Sequence, residues 1–195
     1  PPRWLFYAQD HPQEAAAIVD KHDPIAVALA EDAQADLHWR TLLAQGAASP
    51  PGVTVRPEDE ALILFTSGTT GMPKAVRRTH NSVMSHGALY NHWLGMDNTS
   101  ISGAMQFSYE APAQLLADGG CLILADALRP REWLATIERE HITHIGGVTS
   151  LLQLWLSCPG WDEFDLGSLR SIAVGAMSTP REVHELVHQQ FGLPL

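Results

Sequence analysis

Short apolar runs alternate with helix-patterned segments along most of this chain, and no other feature limits its fold as much. Roughly four to eight apolar residues make a buried strand, whereas apolar residues recurring every third or fourth position make one buried helix face. The spacing predicts a helix over Pro12–Lys21, with proline in its first turn, and a strand from Ile25 in "IAVALA". "GAASPPGVTVRPEDE", Gly46 to Glu60, reads as a loop, and "ALILF", Ala61 to Phe65, as the next strand. A helix over Asn81–Leu94 follows, then a strand in "GGCLILAD", Gly119 to Asp126, and a helix over Pro130–Glu140 with Trp133, Leu134 and Ile137 on one face. "HITHIGGV" reads as a strand, "SLLQLWL" from Ser150 as an apolar helix and "LRSIAV" from Leu169 as a strand. Thr179, Pro180 and Glu182 read as a capping box with proline at the first helical position, opening the last helix.

This alternation predicts an α/β fold, a largely parallel sheet layered with helices. Ligands of such sheets collect beyond the carboxyl ends of the strands. The segments after Phe65 and after Val174 are both rich in small residues, and both are expected at such ends.

Composition narrows the partners. The chain of 195 residues is 45% hydrophobic, enough for one core, and carries 22 acidic against 12 basic residues, a formal charge of -10. Nucleic acid and anionic membrane surfaces both demand positive potential, so neither is expected as a main partner. No apolar run approaches the ~20 residues of a membrane span, and the first residues lack a signal-peptide pattern, so a cytoplasmic protein is expected. Two cysteines, Cys121 and Cys158, stand far apart without metal-site spacing. They read as buried structural thiols in a reducing compartment.

"LFTSGTTGMPKAVRRTH", Leu64 to His80, carries the densest chemistry. A phosphate chain needs donors at close range, and small residues let backbone amides approach it. Gly68 and Gly71 meet that need, Thr66, Ser67, Thr69 and Thr70 add hydroxyl donors, and Lys74 adds a mobile positive charge. The spacing is not that of a Walker A loop, in which lysine directly follows the second glycine; here Lys74 follows Pro73, which stiffens its approach. On its own, a glycine- and threonine-rich stretch after a strand is more often an ordinary turn.

"TSGTTGMPKAV" resembles the signature loop of the adenylate-forming superfamily: acyl- and aryl-CoA ligases, firefly-type luciferases and peptide-synthetase adenylation domains. "EDEALILF", "HITHIGGVTSLLQLWL" and "LGSLRSIAVGAMSTPREVHELVHQQFG" are similar to further segments of the same family, so the resemblance covers Asp59 to the end. It implies that Thr66, Ser67, Gly68, Thr69, Thr70, Gly71 and Lys74 hold the phosphates of ATP. It also implies that Val174, Gly175, Ala176 and Met177 lie against adenine and the acyl group.

The reaction implied has two steps. A carboxylate attacks the α-phosphorus of ATP, in the presence of Mg²⁺, and a thiol, commonly that of coenzyme A, then displaces AMP. A fatty or aryl acid is the expected substrate. The resemblance further implies a partial AMP-binding domain over residues 1–195, part of a large N-terminal domain. "FGLPL" stops ahead of the family's Tyr-Gly-x-Thr-Glu motif, and the C-terminal lid lies outside, so this stretch alone is expected to be inactive. The chain departs from the family pattern at Ala75, in "VGAM", and across Thr99–Gln114, from which no acyl-pocket residue is carried over.

"HELVH", His184 to His188, fits the zinc motif H-E-x-x-H. A catalytic zinc needs a third protein ligand, and seven residues follow His188. Val183, Leu186, Val187 and Phe191 make the stripe of an ordinary amphipathic helix, so no metal ligand is assigned. His80, His86 and His92 recur every six residues, which scatters them around a helix. Arg77 and Arg78 read as surface charges at a helix start, and the six tryptophans as core and interface anchors. Three functions therefore stand from the sequence: an ATP-dependent acid-thiol ligase, a nucleotide- or acyl-binding module without chemistry, and, behind both, a zinc hydrolase through His184, Glu185 and His188.

Overall fold

The computed structural model describes residues 3–8, 12–29, 37–65, 71–104, 112–113, 117–125, 128–175 and 178–195. They fall into two units, Pro1–Thr54 and Val55–Leu195.

The first unit is a small parallel sheet. Strand β1 (Trp4–Tyr7) pairs along its whole length with β2 (Ile25–Ala28), and the helix α1 (Pro12–His22) connects them; β2 also pairs with the short β3 (Leu37–His38). Parallel strands need such a crossover, which explains why the helix and strand legible at Pro12–Lys21 and Ile25 come in that order. Ala26, Val27 and Ala28 are buried, whereas Trp4 and Phe6 on β1 are exposed. Glu14 in the first turn of α1 and Lys21 and His22 in its last turn complement the helix dipole. A short helix, α2 (Trp39–Gln45), follows β3.

The second unit begins with an antiparallel hairpin, β4 (Glu60–Phe65) and β5 (Ala75–Thr79). This corrects the expectation that Phe65 ends a strand of the parallel sheet. It also corrects the placing of Arg77 and Arg78 at a helix start, since both lie on β5. Helix α3 (His80–Leu94) follows β5 without a break; the Ser82 amide donates to the Thr79 hydroxyl at 3.2 Å, a side-chain cap.

Beyond α3 stands a four-stranded parallel sheet in the order β7-β6-β8-β9, made of β6 (Ile101–Ala104), β7 (Cys121–Leu124), β8 (His144–Val148) and β9 (Ser171–Gly175). Helix α4 (Pro130–Glu140) connects β7 to β8, α5 (Thr149–Leu156) leads from β8 toward β9, and α6 (Arg181–Phe191) follows β9. The α/β architecture with a parallel sheet layered by helices is thus the one the alternation predicts.

Trp133, Leu134 and Ile137 from α4, Ile145 and Ile172 from the sheet, Leu152 and Trp155 from α5, and Val183 and Val187 from α6 form one buried core. A side chain at Gly103 would place its Cβ 2.8 Å from the Trp133 ring and 2.9 Å from Ile142. The indole therefore lies directly on the backbone of β6, an approach that glycine alone allows.

Three further expectations are corrected. The strand read in "HITHIGGV" starts at His144, because His141, at φ 50, takes the left-handed cap position of α4 and its amide turns back to Glu138 and Ile137. The capping box at Thr179 does not form: Pro180, not Thr179, occupies the cap position of α6, no side chain caps it, and the Thr179 hydroxyl lies 2.8 Å from that of Thr149. Cys121 is exposed and Cys158 half-buried, so neither is a buried structural thiol.

Trp133 and Trp155 are core anchors as expected, but Trp93 is 73% exposed. Among the described residues no helix is long and apolar enough to cross a membrane.

Candidate functional site

The hairpin holds the first candidate wall. Its base is clamped: the amides of His80 and Asn81 donate to the carbonyls of Asp59 and Pro57 at 3.1 and 2.9 Å, and the Arg56 amide donates to the Asp59 carboxylate at 2.8 Å. Arg77 pairs with Glu60 across the two strands. The last rung before the tip is Phe65 with Ala75. Lys74 directly precedes this ladder, at the open end of a braced two-stranded stalk.

Thr66, Ser67, Gly68, Thr69 and Thr70 lie outside the described residues. Gly71 is described and has φ 131, a region that side-chain-bearing residues rarely enter, while none of the described residues stands within 4 Å of where its Cβ would be. Conformation, not crowding, is what requires glycine there. Met72 and Lys74 are exposed beside it. Arg78 turns toward α3 and donates to the Ser82 carbonyl at 3.4 Å, and Arg77 faces Glu60, so both arginines have protein partners besides any ligand.

The second candidate wall lies at the carboxyl end of the parallel sheet. Val174 pairs with Gly147, and Gly175 with Val148, the last rung of the β8–β9 ladder. Ala176 and Met177 lie outside the described residues. Among the described residues no atom stands within 4 Å of a Cβ built on Gly175 or Gly146. Val174 also lines a cleft of about 360 Å³ with Tyr90, Trp93 and Leu94 of α3, Arg170 to Ala173 of the β9 approach, and Pro194 and Leu195.

The sequence reading missed Trp93 and Arg170 as cleft residues. The structure sets Val174 and Gly175 beside Gly147 and Val148, whereas Lys74 directly precedes β5 of the separate hairpin sheet.

One buried titratable group stands beneath this region. His144 on β8 is 2% exposed, its Nε2 is 3.2 Å from the Leu94 carbonyl and its Nδ1 is 2.7 Å from the Thr143 hydroxyl. A carbonyl only accepts, so Nε2 carries the hydrogen and donates it. Burial pushes the pKa of the ring below its ordinary value. Asp97, on the turn between α3 and β6, is held low instead, chiefly by the hydroxyl and then the amide of Thr99.

The zinc motif gathers nothing of this kind. His184 and His188 are exposed on α6, and Glu185, the base such a site would use, bonds Arg181 one turn earlier at 2.7 Å. Among the described residues no three His, Cys, Asp or Glu side chains are grouped to hold a metal ion.

The hairpin β4–β5 followed by the parallel sheet β7-β6-β8-β9 makes this an α/β fold. The structure aligns with that of the anthranilate CoA ligase AuaEII in complex with anthranoyl-AMP at a TM-score of 0.87 and 19% identity, over 98% of this chain and 39% of that one. Residues 2–195 match the AMP-binding enzyme family, and the chain belongs to it.

Among sequence relatives, it is 31% identical over 140 residues to a feruloyl-CoA synthase of an Amycolatopsis species, covering 69% of this chain and 28% of that enzyme. It is 30% identical over 214 aligned positions to an indoleacetate–CoA ligase of Aromatoleum aromaticum (strain DSM 19018 / LMG 30748 / EbN1), covering all of this chain and 40% of that enzyme. The chain thus spans about a third of the length of such relatives.

Proposed function

We propose that this chain supplies two walls of the ATP site of an acid-thiol ligase, as part of the large N-terminal AMP-binding domain, with an aryl or fatty acid as substrate. The tip residues Thr66 to Gly71 and Lys74 bind the β- and γ-phosphates, and Val174 to Met177 bind adenine and the acyl group. The observation that carries this reading is the rung Phe65–Ala75, which hangs the phosphate-loop sequence between two paired strands with Lys74 immediately before the second. A rigid stalk below a glycine-rich tip suits catalysis that works by positioning and charge stabilisation.

In the proposed chemistry a carboxylate oxygen attacks the α-phosphorus of ATP and the bond to the bridging oxygen breaks, releasing pyrophosphate and leaving an acyl adenylate. A thiolate of coenzyme A then attacks the acyl carbon and AMP departs with the electron pair of the cleaved bond. The Lys74 ammonium offsets the charge that accumulates on the departing phosphates.

The aryl alternative gains support from the feruloyl, indoleacetate and anthranilate enzymes to which the chain is similar. The test is carboxylate-dependent ATP–pyrophosphate exchange by the full-length protein across aryl and fatty acids. ATP binding without exchange for any acid would favour the module that binds but does no chemistry. We propose a cytoplasmic location on the same reading.

A further inference from the structure

The two strands of the second wall stop together at the rung Val148–Gly175. Past it Thr149 opens α5 at once, whereas α6 begins only after its cap residue Pro180. Beyond that rung the Thr149 and Thr179 hydroxyls lie 2.8 Å apart, thirty residues apart in sequence. Thr149 is 2% exposed, so its hydroxyl has lost water and depends on a protein partner.

Thr179 is the more telling member. It stands three residues ahead of Glu182 in a sequence suited to capping α6, yet α6 has no side-chain cap and the hydroxyl is turned to Thr149 instead. A local bond that is ordinarily stabilising is forgone for one between two elements. Thr149, directly after the rung Val148–Gly175, is thus joined to Thr179, directly ahead of the cap residue of α6.

We infer that Thr149 and Thr179 are positioning residues that fix the exit of β9, and with it Val174 and Gly175, against the strand end of β8. This rests on the proposed role of Val174 to Met177 in holding adenine and the acid. Neither hydroxyl reacts. The pair acts by keeping a binding wall in register, and its loss weakens ground state and transition state alike, which raises KM and leaves kcat nearly unchanged.

Thr149→Val, Thr179→Val, their double variant and Thr149→Ser in the full-length protein separate this role from a merely structural one. Losing one net hydrogen bond is worth about fivefold in an equilibrium, so each valine variant is expected to raise KM for the acid by about fivefold with kcat within about twofold. The double variant is expected to be no worse than either single one, and Thr149→Ser to retain the wild-type KM. Amide hydrogen exchange supplies the second readout: residues 172–175 and 179 are expected to exchange about fivefold faster in Thr149→Val, with α4 unchanged.

Unchanged KM together with unchanged exchange rates overturns the inference, as does additivity of the two valine substitutions. A wild-type protein that activates no acid refutes the proposed function instead, and the exchange rates then still decide whether the pair holds the strand exit. Thr179→Val, at a half-buried position, carries the test if Thr149→Val does not fold.

Discussion

The ring of buried His144 donates from Nε2 to the carbonyl oxygen of Leu94 at 3.2 Å, tying the last turn of α3 to the second strand from the edge of the parallel sheet. This link carries a pH dependence. Burial lowers the pKa of the folded ring below 6.5, while the unfolded ring titrates near that value. At neutral pH both states are uncharged and the stability is fully present. As pH falls below 6.5 the unfolded chain takes up the proton first, so stability declines until the folded pKa is passed. Urea midpoints measured between pH 7.5 and pH 5 should fall in the wild type and fall less in His144→Gln. Parallel slopes for both would contradict the assignment.

Gly103 and Gly146 sit on neighbouring strands and offer a controlled comparison. A Cβ on Gly103 meets Trp133 and Ile142 at 2.8 to 3.0 Å, whereas one on Gly146 meets nothing within 4 Å. Gly103→Ala should cost about 1 to 3 kcal/mol by overpacking, and Gly146→Ala should lie within about 0.5 kcal/mol of the wild type. Equal urea midpoints for the two variants would show that the indole does not rest on β6.

Much of this was legible before any coordinates. Helices α1, α3, α4 and α5 and the strands β2, β4, β7, β8 and β9 follow from apolar periodicity, because packing on one face imposes it. What stayed hidden has physical causes. Strand β6, with the sequence "ISGA", carries small residues where Trp133 and Ile142 press on it, so it lacks the bulky run that marks a strand. Strand β5 is polar because it belongs to an exposed hairpin, and "AVRRT" reads more like a helix start. Thr179 misled for a different reason: a capping sequence describes what is locally available, and a tertiary partner at Thr149 took the hydroxyl. At the candidate site the stalk of the loop was not readable, since antiparallel pairing of β4 with β5 leaves no mark in a five-residue polar strand.

Cys121 was expected to be buried, and its exposure gives a quick chemical check. It lies on β7, the edge strand, whereas Cys158 is half-buried with its Sγ 3.8 Å from the Pro159 carbonyl. A thiol reagent applied to the native protein should modify Cys121 first, read by peptide mass. Preferential modification of Cys158 would contradict the sheet order.

Gly71 tests the tip of the hairpin. At φ 131 an alanine is strained by about 1 to 2 kcal/mol. Gly71→Ala is expected to weaken ATP binding about tenfold by calorimetry while leaving the thermal midpoint within about 2 °C, the response of an exposed loop. An unchanged affinity would remove Gly71 from the phosphate site.

The central claim is that the hairpin tip holds the phosphates of ATP while a carboxylate is activated. Its most direct measurement is carboxylate-dependent ATP–pyrophosphate exchange by the full-length protein and by Lys74→Ala, with an aryl and a fatty acid panel. The account predicts exchange with at least one acid and a loss of about tenfold to a thousandfold on removing the lysine, the range for deleting one charge-stabilising group. Exchange that proceeds undiminished in Lys74→Ala, or none with any acid in the wild type, would contradict it.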